Sequence, residues 1–242
     1  MREIRIYQPG EYHCGQQLEL SAAASQHVGI VLRMQPGQQI TLFPGDNREF
    51  EAIISSVHKK KVTVAIISER SVDRESPRGI HLVQAVSKGE RMEIVVQKAV
   101  ELGVASITPL LTARSVVKLD AGRMEKKRGQ WQAIAVAACE QSGRNQVPEI
   151  KPVCHLDNYL KQNHPSFKLV LHPEMAQTWR NYELAENEIT LLIGPEGGFS
   201  DEEIKQILSF DFKPLRLGPR ILRTETAAIS ALSVLQAVWG DL

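Results

Sequence analysis

A glycine-rich turn near the end of the chain combines backbone that could approach a ligand with a carboxylate that could act on it. The apolar run at 190–193 leads into the turn Gly-Pro-Glu-Gly-Gly at 194–198, and a capping box at 200–203 then begins a helix. A tight chain reversal alone would explain the glycines. It would not require Glu196, which lies between a proline and a glycine. The turn is therefore a candidate binding loop.

The same order of strand, loop and helix recurs further along the chain. A short apolar segment at 215–217 is followed by Gly218, and the segment 221–226, which contains Arg223 and Glu225, leads into an alanine-rich helix. In open α/β sheets, ligands bind at the loops that follow the carboxyl ends of the strands. Two such units in succession predict a cofactor site made of loops.

The sequence lacks the motifs of several common catalytic and nucleotide-binding sites. The motifs GxGxxG, GxxxxGK[ST], GxSxG and HExxH are absent, which argues against a dinucleotide-binding Rossmann site, a P-loop NTPase, a serine hydrolase and a zinc hydrolase. Cys14, Cys139 and Cys154 show no paired spacing, and the histidines are isolated. We therefore expect no metal site and no disulfide framework.

The composition is that of a globular protein of 242 residues. Hydrophobic residues make up 43% of the chain, and the formal net charge is +1. No apolar stretch approaches the ~20 residues that span a bilayer, and the first residues lack the apolar run of a signal peptide. We expect a soluble, cytoplasmic protein without membrane contact.

Residues 1–72 alternate apolar and polar positions in short runs that turns separate. Ser21 can cap one helix in this region. The pattern predicts a small β-barrel, an architecture that often binds RNA but also serves purely structural roles. The polar segment 73–79 is predicted to be a linker. Strands are predicted at 3–7, 17–20, 39–43, 49–56 and 62–67.

From residue 80 onward, strands alternate with helices, and a capping box at 87–90 is predicted to begin the first helix. A second helix is predicted at 124–141. This alternation predicts an α/β domain at 80–242 with a mainly parallel sheet covered by helices on both faces. Strands are predicted at 80–86, 106–111, 168–171, 190–193 and 215–217.

Long segments of the chain resemble one family. LLIGPEGGFSDEEI and LRLGPRILRTETAAISAL, which contain the two loops, resemble the C-terminal signature of the SPOUT class of RNA methyltransferases. Within that class, SKGERMEIVVQKAVELGVASITPLLTARSVVK and QWQAIAVAACEQSGRNQVPEI resemble mid-chain motifs of the 16S ribosomal RNA uracil-N3 methyltransferases. RIYQPG and HVGIVLRMQPGQ are similar to the first domain of those enzymes, so the resemblance covers nearly the whole chain.

The resemblance implies a PUA-like β-barrel followed by an α/β domain, whose segment at roughly 170–242 is threaded as a deep trefoil knot. Knots are exceptions to the usual rules of chain connection, so no periodicity would reveal one. The resemblance also implies S-adenosylmethionine as the cofactor, 16S ribosomal RNA or the small ribosomal subunit as the partner, and a homodimer.

In that family three loops hold the cofactor, and here they would begin near residues 171, 194 and 217. Small or absent side chains would let the ligand approach the backbone closely. The resemblance assigns cofactor binding to Leu171, His172, Ile193, Gly194, Pro195, Glu196, Gly197, Leu217, Gly218, Ile221, Leu222, Arg223, Thr226 and Ala227.

The implied reaction removes the proton of uracil N3 and spreads negative charge onto the uracil carbonyl oxygens. Arg223 is the first choice for stabilising that charge, although a phosphate contact or a dimer salt bridge would also explain an arginine there. Glu225 and Glu196 are candidate proton acceptors. Basic residues that could hold RNA through its phosphates are Arg5, Arg33, Arg48, Lys88, Arg91, Arg114 and Arg144.

Two alternatives to uracil-N3 methylation remain open at this point. The same knotted class also methylates the ribose 2′-oxygen of RNA, although the mid-chain motifs argue against that reaction here. The chain could also be an RNA-binding factor of ribosome assembly that has lost catalysis, which the intact GPEGG and RTETA segments disfavour.

Overall fold

The computed structural model describes residues 3–58, 61–115, 120–162 and 166–242. The chain divides into two compact units. The first contains Met1–Glu75 and Cys139–Val147, and the second contains Ser76–Ala138 and Pro148–Leu242. The sequence boundary at 73–79 had placed all later residues in the second unit, whereas the structure assigns the segment 139–147 to the first.

The first unit is built on a five-stranded sheet with the order β1-β3-β4-β5-β2. Strand β1 pairs with β3 in parallel, and the other neighbours are antiparallel. Helix α1 (Ala22–Gln26) is capped by the Ser21 side chain, as predicted, and continues into a π-helix at His27–Val31. The strands are β1 (Arg5–Tyr7), β2 (Gln17–Glu19), β3 (Gln39–Phe43), β4 (Arg48–His58) and β5 (Lys61–Ser71).

A buried carboxylate in β4 forms hydrogen bonds to side chains from several separate segments of the first unit. Glu49 is fully buried, and its carboxylate accepts hydrogen bonds from Arg5 at 2.5 Å, Arg70 at 2.7 Å and Arg74 at 2.8 Å. Asn145, which belongs to the segment 139–147, donates to the same carboxylate at 3.1 Å. Burial raises the pKa of Glu49, but the hydrogen bonds from Arg74, Arg5 and Asn145 outweigh it and hold this pKa at about 2.

Two arginines predicted to contact RNA are part of this buried network, which corrects that prediction. The Arg5 guanidinium is buried against Glu49 and also donates to Asn145 at 2.6 Å. Arg144 is buried as well and forms an ion pair with Glu75. Both side chains are committed to partners inside the unit, so neither presents a free guanidinium at its surface.

Replacing Glu49 by glutamine is expected to lower the free energy of unfolding by about 3 to 5 kcal/mol, because it leaves the buried Arg5 without its counter-charge. In the wild type, a carboxyl with a lowered pKa stabilises the fold above its ordinary pKa, and this stability is lost as the pH falls from about 4.5 toward 2. Urea denaturation of the full chain at pH 7 measures the first effect. The exposed Glu69→Gln is the matched control, and equal stability of both variants would contradict the assignment.

The second unit contains a parallel sheet with the order β12-β10-β11-β6-β7-β8, and β9 also pairs with β7. Every pairing between its described strands is parallel, which confirms the predicted α/β architecture. The strands are β6 (Gly79–Ala85), β7 (Ser106–Leu111), β8 (Glu149–Ile150), β9 (Cys154–His155), β10 (Phe167–Leu171), β11 (Glu188–Ile193) and β12 (Lys213–Leu215). The helices are α2 (Arg91–Glu101), α3 (Ala121–Ser142, whose residues 139–142 belong to the first unit), α4 (Leu156–Leu160), α5 (Asp201–Ser209) and α6 (Thr224–Trp239), with a 3-10 helix at Trp179–Asn181.

The two predicted capping boxes have different outcomes. The one before α5 is confirmed, because the Ser200 hydroxyl accepts from the Glu203 amide and the Glu203 side chain accepts from the Ser200 amide. The one at 87–90 is wrong, because the N-cap of α2 is Glu90, three residues after Ser87, and it makes no side-chain cap hydrogen bond. The Ser87 hydroxyl is instead buried without a hydrogen-bond partner among the described residues.

The central strands set the position of the site. In β11 every residue after Glu188 is buried, as expected for a strand covered on both faces. Because the strands are parallel, the loops that follow β10, β11, β12 and β6 all leave from the same edge of the sheet. None of the described helices is both long and apolar enough to cross a membrane. The trefoil knot at 170–242 stays a prediction.

Candidate functional site

A cavity of about 340 Å³ lies at the carboxyl edge of the second unit's sheet. It is formed by the loops that follow β10, β11 and β12 together with the start of α6, which is the arrangement expected from the two loop motifs. Its walls consist of Leu171–Glu174, Ile193–Phe199, Leu217, Gly218, Arg220–Leu222, Thr224 and Ala227, with Arg114 and Asp201.

Nearly all of the residues predicted to bind the cofactor line this cavity. The two that do not are Arg223 and Thr226, which are exposed near the start of α6. Several other residues that line the cavity were not predicted from the sequence. They lie between or beside the predicted ones, so their positions in the three loops were the only signal that could have identified them. These residues are Pro173, Glu174, Gly198, Phe199, Asp201, Arg220 and Thr224.

The protein itself explains two of the loop glycines. A Cβ atom on Gly194 would lie 3.1 Å from the Phe199 ring, and Gly198 has a φ of +68° in a turn closed by its amide on the Pro195 carbonyl at 2.9 Å. Gly197 differs, because a Cβ there would meet only the Arg114 side chain at an ordinary 3.5 Å. Space beside Gly197 is therefore available to a ligand rather than required by the fold.

Arg114 was predicted to hold RNA, but in the structure its side chain is bonded to the glycine loop. Its Nη1 donates to the Gly197 carbonyl at 2.9 Å and to the Phe199 carbonyl at 3.2 Å. These bonds fix the outer wall of the cavity from a loop that follows β7. The long sequence separation between Arg114 and the turn is why no local pattern indicated this contact.

A buried relay fixes the other side of the same loop. The Thr224 hydroxyl donates to the Gly194 carbonyl at 2.8 Å. The amide of Gln84, a fully buried residue in β6, donates to the Thr224 oxygen at 3.0 Å and to the Ala85 carbonyl at 3.1 Å. The start of α6, the end of β6 and the glycine loop are thus joined through one hydroxyl.

We expect Thr224→Val to weaken cofactor binding by roughly tenfold, since valine keeps the shape but leaves the buried Gln84 amide and Gly194 carbonyl with one fewer bond each. Thr224→Ser, which keeps the hydroxyl, is expected to bind nearly as the wild type does. Isothermal calorimetry measures both. Equal cofactor affinities for the valine and serine variants would show that the Thr224 hydroxyl does not contribute to cofactor binding.

Three charged side chains form a second cluster beside the glycine loop. Glu196 accepts from the Lys88 amide at 3.0 Å and from Arg91 Nη1 at 2.7 Å, and Arg91 Nε lies 4.0 Å from Glu225 Oε2. Burial raises the pKa of Glu196, but hydrogen bonds from its own backbone, from Lys88 and from Arg91 lower it overall. Glu196 is thereby held ionised as an anchor, which makes it the weaker candidate for a proton acceptor.

Glu225 is placed differently. Its Oε2 is shielded from solvent and has no hydrogen-bond partner among the described residues, so one acceptor position is open. Its neighbour Arg223 is the N-cap residue of α6, is exposed, and has no carboxylate partner in the described part of the chain. The two candidate catalytic side chains therefore lie on either side of Thr224, which lines the cavity.

Of the remaining residues predicted to hold RNA, two are exposed and two form ion pairs. In the first unit, Arg33 is exposed with a φ of 53°, and Arg48 forms ion pairs with Asp46 and Glu11. In the second unit, Lys88 has an exposed side chain, and Arg91 belongs to the charged cluster described above. Across the described ranges, no group of three or more His, Cys, Asp or Glu side chains could hold a metal ion.

Comparison with known proteins agrees with this site. The family model for an RNA methyltransferase domain matches residues 74–236, and the model for an RNA methyltransferase PUA domain matches residues 20–67. The PUA match confirms the PUA-like character predicted for the first unit.

Solved structures and curated relatives point the same way. A methyltransferase from Legionella pneumophila, solved with the bound cofactor SAM, is 59% identical with a TM-score of 0.98, and 100% of each chain is covered. Ribosomal RNA small subunit methyltransferase E from Neisseria gonorrhoeae, bound to S-adenosyl methionine, is 36% identical with a TM-score of 0.93 over 100% of each chain. The Buchnera aphidicola (strain Sg) protein of that name is 37% identical over 239 residues, covering 98% of this chain and 97% of the relative. The chain belongs to the ribosomal RNA small subunit methyltransferase E family of RNA methyltransferases.

Proposed function

We propose that this protein transfers a methyl group from S-adenosylmethionine to N3 of a specific uridine in 16S ribosomal RNA. The observation that carries the proposal is the cavity made by three strand-end loops, whose walls include the backbone of Gly194, Gly197, Gly198 and Gly218. Such walls fit a ligand recognised through amides and carbonyls. The relatives solved with this cofactor support the choice of ligand.

The residues present fit that cofactor. The glycine loop at 194–198 and the loop at 217–222 offer backbone donors and acceptors around the cavity, and Leu171, Ile193 and Leu222 offer apolar contacts. The cofactor, when bound, supplies the methyl group as an electrophile. No group of metal ligands was found among the described residues, and we expect binding to be unchanged by a chelator.

The chain's own residues have two tasks in the reaction. The target uracil must be unpaired, because N3 is hidden in a base pair. We propose that Arg223 stabilises the negative charge that develops on the uracil carbonyl oxygens, and its exposed position beside the cavity-lining Thr224 supports this role. We propose Glu225 as the acceptor of the N3 proton, because its Oε2 has no hydrogen-bond partner among the described residues, whereas Glu196 accepts hydrogen bonds from Lys88 and Arg91.

We also propose that the protein is a homodimer acting on the small ribosomal subunit in the cytoplasm. The family resemblance motivates the dimer, and Val238 and Leu242 leave apolar surface exposed at the end of the chain. Sedimentation should give twice the chain mass of 27.0 kDa. A monomer with full activity would refute the dimer without affecting the proposed reaction.

The proposed reaction can be tested in cells. Ribosomal RNA from a strain lacking this gene is expected to lack one N3-methyluridine that the parent strain contains, and restoring the gene should restore it. Mass spectrometry of the digested RNA identifies the nucleoside. An unchanged N3-methyluridine content, or loss of a 2′-O-methyl nucleoside instead, would contradict the proposal.

A further inference from the structure

The loop between β12 and α6 carries an unusual concentration of unpaired positive charge. Arg216, Arg220 and Arg223 lie in the segment LRLGPRILR at 215–223, which contains no acidic residue. None of the three has a carboxylate partner among the described residues. By contrast, Arg123 and Arg128 in α3 of the same unit each form an ion pair.

We propose that Arg216 and Arg220, together with Arg180, form a phosphate-binding rim that guides a single strand of RNA to the mouth of the cavity. This inference rests on the proposed function, because it names the part of the substrate that this surface holds. It assigns the RNA backbone to the C-terminal loops of the second unit. Arg5 and Arg144, predicted for that role from the sequence, are buried.

The positions of two of these arginines are fixed by the fold. Arg220 is exposed and lines the cavity. The Arg216 Nε donates to the Gly218 carbonyl at 3.0 Å, which holds the side chain against the same loop, while no other hydrogen bond from this guanidinium occurs among the described residues. Both therefore retain donors for an anion at the rim.

Arg180 lies in the segment that follows β10, and two hydrogen bonds hold this segment beside β12. The Arg216 amide donates to the Gln177 carbonyl at 2.8 Å, and the Tyr182 hydroxyl donates to the Pro214 carbonyl at 2.6 Å. These bonds lay the segment 177–182 along β12, the edge strand. The Arg180 guanidinium stacks over the Trp179 ring at 4.3 Å from the centroid, which orders it without neutralising it.

Single-stranded RNA fits this surface better than a small anion does. Arg216 and Arg220 in the loop and Arg180 in the segment beside β12 offer several positive charges for the repeating charge of a phosphodiester chain, and a guanidinium fork donates to two phosphate oxygens at once. Ile221, in the same loop, is 87% exposed and lines the cavity, so it offers an apolar contact for an unstacked base. The strand would thus be held by its phosphates while one base reaches the cavity.

The test is the salt dependence of binding between the full-length protein and a 16S RNA fragment that contains the target uridine. Removing two phosphate contacts in the double variant Arg180→Ala/Arg216→Ala, neither of which lines the cavity, should reduce the slope of log Kd against log salt by about 1.4, at about 0.7 per contact for single strands. The double lysine variant keeps both charges and should retain most of the slope. Arg123→Ala, an exposed arginine of α3, is the control and should leave the slope unchanged.

Several results would overturn the rim. The first is an unchanged salt slope in the double alanine variant, and the second is an equal loss of slope in Arg123→Ala. The third is a double alanine variant that binds the cofactor more weakly than the wild type, or that is monomeric where the wild type is a dimer. At saturating RNA, the double variant should transfer methyl groups at nearly the wild-type single-turnover rate, because its loss is in binding. If the wild type formed no N3-methyluridine, the proposed function would fail separately, since the binding slopes do not depend on the product.

Discussion

Arg223→Ala is expected to lower the single-turnover rate of methyl transfer by roughly a hundredfold, the scale observed when one preorganised donor is removed from a developing negative charge. Binding of RNA and of cofactor should change little. The reason is position: Arg223 is exposed at the N-cap of α6, next to the cavity-lining Thr224, and does not itself line the cofactor cavity. Rapid-quench assays at saturating RNA and cofactor measure the rate directly.

Two other roles for Arg223 give different results. A phosphate contact alone would reduce RNA affinity and the salt slope but leave the saturated rate intact. A salt bridge between subunits would appear as dissociation in sedimentation. Arg223→Lys should recover only part of the rate, because an ammonium keeps the charge but loses the planar fork. A wild-type rate in Arg223→Ala would end the catalytic assignment.

Gly197→Val is expected to abolish detectable cofactor binding while the protein remains folded. A Cβ atom at this position makes only ordinary contacts with Arg114, so the backbone here does not require glycine. A branched side chain would instead occupy space beside the cavity that we assign to the ligand. Calorimetry with S-adenosylmethionine measures the loss, and circular dichroism verifies the fold.

The neighbouring glycines provide the comparison for this variant. Substitution of Gly194 would press on Phe199, and substitution of Gly198 would strain a positive φ, so loss of binding in either would not separate ligand from fold. Gly197→Ala adds a single methyl group and should retain part of the affinity. If Gly197→Val bound the cofactor normally, the turn would have only the chain-reversal role.

The sequence predicted the parallel sheet and the loop positions well, because both depend on local patterns. Apolar runs such as 190–193 end at glycine turns, and parallel strands bring those turns to one edge whatever the strand order. The capping box at 200–203 formed, since its two bonds join residues three positions apart. Ser87 failed to cap because α2 starts at Arg91, too far along for its hydroxyl.

Local sequence patterns could not predict contacts between residues that are far apart in the chain. The Gln84 amide meets Thr224 across 140 positions, and Arg114 meets the Gly197 carbonyl across 83. Arg5 looked like a surface cation because nothing near it in sequence indicates that Glu49 is buried beside it. Charged residues are exposed by default, and only a tertiary partner such as this one reverses that expectation.

The central claim is tested most directly by reconstituting the reaction. Purified protein is incubated with S-adenosylmethionine carrying an isotope-labelled methyl group and with small ribosomal subunits that lack the modification. The RNA is then digested and its nucleosides are separated and identified by mass spectrometry. We predict that the label appears in N3-methyluridine at one site. Label in a 2′-O-methyl nucleoside, or no labelled nucleoside although the protein binds the cofactor, would contradict the account.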